Sequence, residues 1–165
     1  MTISGPSITP CLWFDTEAED AANLYVSIFP NAKITGTSHY GEEGFEIHGR
    51  KAGTVMAVEF VLDGRPFVGL NGGPQFKFDE AVSFQVHCDT QAEIDRYWTK
   101  LGADGGKPGP CGWIKDRFGL SWQVVPRALK DMLTDRDAAK VQRVTKAFLA
   151  MSKFDIAALE KAYAG

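Results

Sequence analysis

Two side chains in this sequence are placed to move a proton, Glu59 and His87. A carboxylate shielded from water holds its proton more tightly and becomes a general base, while an imidazole can donate, accept or shuttle a proton. Three amides, Asn71, Gln85 and Gln123, could orient a polar ligand, since each offers donors and an acceptor. Trp13 and Trp113 could stack on a flat ligand, and Cys11 and Cys111 could line the same pocket. Neither cysteine has a basic neighbour in sequence, so a nucleophilic role has no support. Each candidate has a competing structural reading. Glu59 and His87 could stand in water, the tryptophans and cysteines could be packing residues, and the amides could bond neighbouring strands.

The elements that must position these residues follow from periodicity. Ile8 to Phe14 reads as a strand with a proline near its start. Glu17 to Phe29 reads as a helix, with Ala18, Ala21, Ala22, Tyr25, Ile28 and Phe29 on one face and Asp15 or Thr16 as its cap. Ala32 to Tyr40 is a further strand, and the polar, glycine-punctuated run from Gly41 to Gly53 a loop. Thr54 to Leu62 alternates cleanly, and Asp63-Gly64 is a hairpin signal returning the chain through Pro66 to Asn71. The pattern then restarts. Val82 to Cys88 is a strand and Thr90 to Leu101 a helix stopped by Gly102. Trp113 to Asp116 and Leu120 to Val125 form two short strands about an Arg117-Phe118-Gly119 turn. Three helical segments close the chain: Pro126 to Leu133, Asp137 to Met151, and one capped at Asp155. Their apolar stripes imply packing against a sheet or a second subunit.

The restart is an internal repeat. Leu12 and Phe84, Phe14 and Val86, Ala22 and Ile94, Tyr25 and Tyr97, and Phe29 and Leu101 stand at one constant separation, each pair apolar or aromatic. The implied fold class is α+β: two βαβββ modules forming a curved mixed β-sheet with covering helices, plus C-terminal helices. Alternation assigns faces. Leu12, Phe14, Phe84 and Val86 should meet the helices, as should Met56, Val58, Phe60 and Leu62 on one strand and Val68 and Leu70 on the next. The opposite face would carry Cys11, Trp13, Glu59, Gly69, Asn71, Ser83, Gln85, His87, Ser121, Gln123 and Val125. That face is too polar for a dry core and suits a ligand.

Composition narrows the partners. At 165 residues with 44% hydrophobic and 24% charged content, the chain reads as one ordinary soluble domain. A net charge of −3 without a basic stripe argues against nucleic acid. No apolar run suggests a membrane span, and Met1 to Pro10 lacks a secretion signal, so a cytoplasmic protein is expected. Three widely spaced cysteines do not suggest a disulfide framework, and no zinc-type spacing occurs.

Three runs are distinctive: Cys111-Gly-Trp-Ile-Lys-Asp-Arg-Phe-Gly-Leu-Ser-Trp-Gln-Val-Val-Pro126, Leu70-Asn-Gly-Gly-Pro74 with Phe76-Lys-Phe78, and Ser83-Phe-Gln-Val-His-Cys-Asp-Thr90 ending in Trp98-Thr-Lys-Leu101. Together they resemble the PhnB-like, 3-demethylubiquinone-9 3-methyltransferase-like family of the vicinal oxygen chelate superfamily, which includes glyoxalase, bleomycin-resistance proteins and dioxygenases. The resemblance runs from Ile8 to Ala164. It implies a single glyoxalase-like domain with one module over about residues 8–75, a second over about 80–126, and a helical tail over 127–165. It also implies a homodimer with its site on the concave sheet. Metal enzymes of the superfamily take His, Gln or Glu ligands from the first and last strand of each module. Here those positions fall near Thr9 or Cys11, near Ala81 or Ser83, and at Asn71 and Gln123. Such a set does not match a divalent cation, so no catalytic metal and no cofactor are expected.

Three functions remain open. One is a metal-independent enzyme of small-molecule metabolism in which Glu59 or His87 moves a proton. Another is a non-catalytic ligand-sequestering or resistance protein using the same cavity. The third is the methyltransferase of the family label, although Leu70-Asn-Gly-Gly-Pro74 is not followed by a convincing helix, as a nucleotide-cofactor turn would be.

Overall fold

The computed structural model describes residues 7–165. The reading of the N-terminus made above falls partly on residues 1–6, which lie outside the described residues. The chain forms two compact units, divided between Lys77 and Phe78.

In the first unit, β1 (Cys11–Phe14) leads into α1 (Ala18–Ile28), followed by β2 (Lys33–His39), α2 (Phe45–His48), β3 (Val55–Leu62) and β4 (Arg65–Asn71). The strands make one mixed sheet in the order β1-β4-β3-β2, with β1 parallel to β4 and the other pairs antiparallel. Ala18, Ala21, Ala22, Tyr25 and Ile28 turn the apolar face of α1 onto the sheet, where Leu12, Phe14, Val58, Phe60 and Leu62 are buried. Phe60 stacks on Phe67 with ring centroids 5.5 Å apart, and Tyr25 tilts against Phe60. Each such large side chain contributes about 1.5–3 kcal/mol by leaving water.

Two expectations are corrected in this unit. Neither Asp15 nor Thr16 caps α1, whose N-cap is Glu17 with no side-chain cap of its own. The acceptor comes from the end of β4, beside Phe14: Asn71 Oδ1 takes the Ala18 N–H at 2.8 Å. The alternation on β4 is also the reverse of that expected. Phe67, Gly69 and Asn71 are buried against the helix side, while Val68 and Leu70 are only half-buried on the other face. A Cβ at position 69 would lie 3.2 Å from that of Ala18, so the helix closes onto bare backbone there. The run read as loop also holds α2, a single turn that is too short to show a hydrophobic period.

The second unit repeats the plan. β5 (Ser83–Cys88), α3 (Gln91–Leu101), β6 (Lys107–Pro108), β7 (Trp113–Lys115) and β8 (Ser121–Pro126) give a sheet of order β5-β8-β7-β6, again with its first strand parallel to its last. Thr90 caps α3 in a capping box with Glu93, and Ile94, Tyr97 and Leu101 are buried. The unit is closed by a buried carboxylate. Asp116, 3% exposed, accepts the N–H groups of Phe118 and Leu120 at 2.9 and 3.1 Å on Oδ1 and the Trp122 indole N–H at 2.9 Å on Oδ2. The fold class is therefore the one expected: two mixed four-stranded sheets with helices, followed by C-terminal helices α4 (Arg127–Leu133), α5 (Ala138–Leu149) and α6 (Ile156–Ala164).

The tail is fastened to the second unit through backbone. Cys111 and Gly112 both have positive φ, at 53° and 80°, and their N–H groups donate to the carbonyls of Met151 and Ser152 at 2.8 and 2.7 Å. A Cβ at position 112 would stand 2.4 Å from the Phe154 ring, so only glycine seats Phe154 there. Gln91 holds the other side, donating to the Phe154 carbonyl at 3.0 Å and accepting from the Ile156 N–H at 2.9 Å. Asp116→Ala should lose more than about 3 kcal/mol of stability in a urea titration, since it orphans two buried donors and one part-buried donor. Asp116→Asn should lose less, because its amide keeps one acceptor oxygen but points a donor at another donor.

Candidate functional site

The open face of the second sheet is set by register. Gln85, Gln123 and Trp113 form one row across β5, β8 and β7. His87 stands beside Val125 in the next row, and Ser83 beside Ser121 in the previous one. The opposite parity, Val86, Trp122 and Val124, is buried beneath α3. The polar side chains are therefore presented on a floor whose underside is core.

Over this floor lies a cleft of about 640 Å³. Gln85, His87, Gln123 and Val125 line its base, with Cys111 and Trp113 on one flank. The facing wall comes from the tail: Leu129 and Leu133 of α4, Phe148 of α5, and Phe154. Pro126, Arg127 and Lys130 complete the lining, which includes no Asp or Glu. The amides are linked in sequence: Gln85 Nε2 donates to Gln123 Oε1 at 3.3 Å, and Gln123 Nε2 donates to Ser83 Oγ at 2.8 Å. This chain fixes how Gln123 is flipped and leaves Gln85 Oε1 available as an acceptor to a ligand.

Five of the nine residues expected at a site thus meet in one cleft: Gln85, His87, Cys111, Trp113 and Gln123. The other four belong to the first unit and are placed differently. Cys11, Val68, Glu59 and Gly36 form a row across its sheet. Glu59 is exposed within the chain, because its neighbour Gly36 has no side chain to cover it. The shielding from water that a general base there requires is not provided. Trp13 serves the backbone: its indole N–H donates to the Gly73 carbonyl at 2.8 Å, and a Cβ at position 72 would fall 2.2 Å from the ring. Phe76 meets its edge at 5.0 Å. Asn71 is not on the open face at all. Its amide holds α1 through Oδ1 and donates to the Val55 carbonyl at 3.1 Å, while its own carbonyl takes the Tyr40 hydroxyl at 2.7 Å.

Sequence reading missed the tail's share of the cleft. Leu129, Leu133 and Phe148 were legible only as apolar stripes, which do not say what they cover. Ser121 was placed on the open face but not recognised as buried; it is 0% exposed.

Two of the thiols, Cys88 and Cys11, are held in the protonated form. Burial pushes Cys88 up to about 12, helped by the negative charges of Glu93 and Asp89. Burial also raises Cys11. Cys111 Sγ contacts the Phe148 carbonyl at 3.7 Å. Among the described residues no three His, Cys, Asp or Glu side chains stand close enough to hold a metal ion. Two of the positions where relatives place ligands, Asn71 and Gln123, have their amides engaged within the protein.

With Ellman's reagent at pH 8, Cys88 should stay unmodified in the native protein, since about one such thiol in ten thousand is ionised. Mass mapping of the modified cysteines checks this, and unfolding in guanidinium should release the third thiol.

The model of the 3-demethylubiquinone-9 3-methyltransferase family matches residues 6–125. A PhnB protein from Bacillus cereus is similar at 34% identity and TM-score 0.63, covering 73% of this chain and 99% of its own. A protein from Pseudomonas aeruginosa (19% identity, TM-score 0.57, covering 74% and 98%) and the fosfomycin resistance protein FosX from Mesorhizobium loti (15%, 0.54, 81% and 100%) share the fold. No curated protein matches. The chain belongs to the PhnB-like, 3-demethylubiquinone-9 3-methyltransferase family, within the vicinal oxygen chelate superfamily.

Proposed function

We propose that this member of the family binds a small organic molecule in the cleft between the open face of the second sheet and the C-terminal helices, and acts on it without a metal. One observation carries the reading: a row of linked amides, Gln85 and Gln123, faces an apolar wall of Leu129, Leu133, Phe148 and Phe154 across about 640 Å³. Few polar groups among apolar walls is how ligand sites orient a molecule while removing most of it from water. Trp113 supplies a flat surface on one flank. The ligand expected is a largely apolar molecule with a flat portion and a hydrogen-bonding group aimed at Gln85.

For a reaction in the cleft, His87 is the side chain we assign to proton transfer, as the imidazole among the groups that line it. Glu59, exposed and in the first unit, is the weaker choice as general base. Cys11, Trp13 and Asn71 serve the fold in this reading. A second copy of the chain is the expected partner, as in the resemblance described above. Among the described residues, no helix is long and apolar enough to cross a membrane.

Screening a library of aromatic metabolites by thermal shift should give ligands whose effect is lost in Gln123→Leu and in Phe148→Asp. A hit whose stabilisation survives both substitutions would overturn the cleft. For such a hit, His87→Gln should abolish turnover and keep affinity within about threefold if proton transfer occurs. Retained turnover removes His87, and absence of turnover in the unaltered protein favours sequestration.

The family description favours a second reading, methyl transfer from S-adenosylmethionine. Against it, the one glycine-rich turn of the first unit is filled by Trp13: Gly72 lies under the indole and Gly73 accepts its N–H. Calorimetric titration with S-adenosylmethionine should show no binding heat. Saturable heat at micromolar concentration would make methyl transfer the better account.

A further inference from the structure

The run Leu70-Asn-Gly-Gly-Pro74, which has no part in the cleft, sets an asparagine before a glycine. Asparagine is a thermolabile residue, because its side-chain carbonyl carbon can be attacked by the backbone nitrogen that follows it. A side chain on that following residue crowds the attack, and glycine has none. The chain has three asparagines. Asn23 precedes Leu24 and Asn31 precedes Ala32, whereas Asn71 precedes Gly72.

The native fold denies the attack both of its partners. The Gly72 N–H donates to the Phe14 carbonyl on β1 at 2.9 Å. The Asn71 amide is committed elsewhere, its Oδ1 to the Ala18 N–H and its Nδ2 to the Val55 carbonyl. Asn71 is only 6% exposed, and its own carbonyl takes the Tyr40 hydroxyl. Trp13 closes the turn from outside. Its indole lies 2.2 Å from where a Cβ of residue 72 would stand, and its N–H holds the Gly73 carbonyl. All of these restraints are tertiary, so opening the first unit removes them together.

We propose that Asn71-Gly72 is a spontaneous deamidation site, held shut by the native first unit and released when that unit opens. The freed Gly72 nitrogen gives its proton to hydroxide and bonds to Asn71 Cγ. The Cγ–Nδ2 bond breaks, and the side-chain nitrogen leaves as ammonia with a proton taken from water. Water then adds to one carbonyl of the cyclic imide and breaks its bond to the ring nitrogen. The net change is amide plus water to acid plus ammonia. The product is aspartate or, where the main chain now runs through Cγ, isoaspartate.

Neither product replaces asparagine. Aspartate has no Nδ2 donor and turns a carboxylate oxygen toward the Val55 carbonyl. Isoaspartate adds a carbon to the backbone just where Gly72 and Gly73 donate to Phe14. The side chain that ties β4 to α1 and β3 is therefore the one that chemistry removes, and unfolding of this unit becomes one-way. The proposal does not rest on the use made of the cleft, whose lining lies in the second unit.

The experiment keeps the full chain in mildly alkaline buffer, native and in urea above its transition. Peptide mapping by mass spectrometry follows the amide-to-acid mass gain at each asparagine. In urea, Asn71 should convert well before Asn23 and Asn31. In the native chain its conversion should be more than about a hundredfold slower, the factor set by the population of the open state. Gly72→Ala, read in urea so that it need not fold, should bring Asn71 down to the rate of Asn31. Trp13→Phe keeps a ring and loses the N–H; it should speed conversion in the native chain about fivefold, the effect of one hydrogen bond on local opening. On dilution from urea, chains that regain protease resistance should carry Asn71 intact. Equal rates in native and unfolded chains, no lead of Asn71 over Asn31 in urea, an unchanged rate in either variant, or protease-resistant chains carrying the converted residue would overturn the proposal.

Discussion

The second unit depends on one buried carboxylate. Asp116 gathers three donors from the next six residues, two from the turn and one from the Trp122 indole. The first two shape the hairpin between β7 and β8; the third pins Trp122 beneath the sheet. Because side chains alternate along a strand, holding Trp122 down holds Gln123 up. The floor of the cleft is therefore oriented from below, by a group that never touches a ligand. A carboxylate so placed is tolerable only because its oxygens are filled by donors.

The first unit solves the equivalent problem with a neutral amide in another place. Asn71 ends β4 and reaches under the start of α1, so one side chain ties the last strand to the helix and to β3. In the second unit α3 is capped by its own Thr90 and Glu93 and needs no such help. Two copies of one topology are thus closed by different polar interactions. The apolar pairs Ala22 and Ile94, and Tyr25 and Tyr97, stay equivalent and buried while the polar ones diverge.

This divergence explains what was legible beforehand. Most strands and helices with a clean period were readable to within a residue or two, as were the outward-facing rows of β5 and β8, except for the burial of Ser121; β1 begins three residues later than read, and the two-residue β6 was too short to show a period. The β4 strand was not, because Phe67, Val68 and Leu70 put apolar side chains on both faces and hydrophobicity alone cannot choose between them. The deciding facts are tertiary: Gly69 is needed where Ala18 comes close, and Asn71 is needed as a cap. Ranking by polarity sent both to the wrong face, and with them went one expected ligand group. Glu59 kept its face but not its shelter, since the glycine beside it lies on a strand that pairs with irregular register.

The wall of the cleft also bears on descent. The family model matches only as far as residue 125, short of the Ala164 to which the resemblance was read, whereas Leu129, Leu133, Phe148 and Phe154 all lie after it. In the proposed cleft, the floor comes from the stretch that the family model matches and the facing wall from the stretch beyond it. A lineage could keep every residue of the Asp116 hairpin and change its substrate by rewriting the last forty or so positions alone.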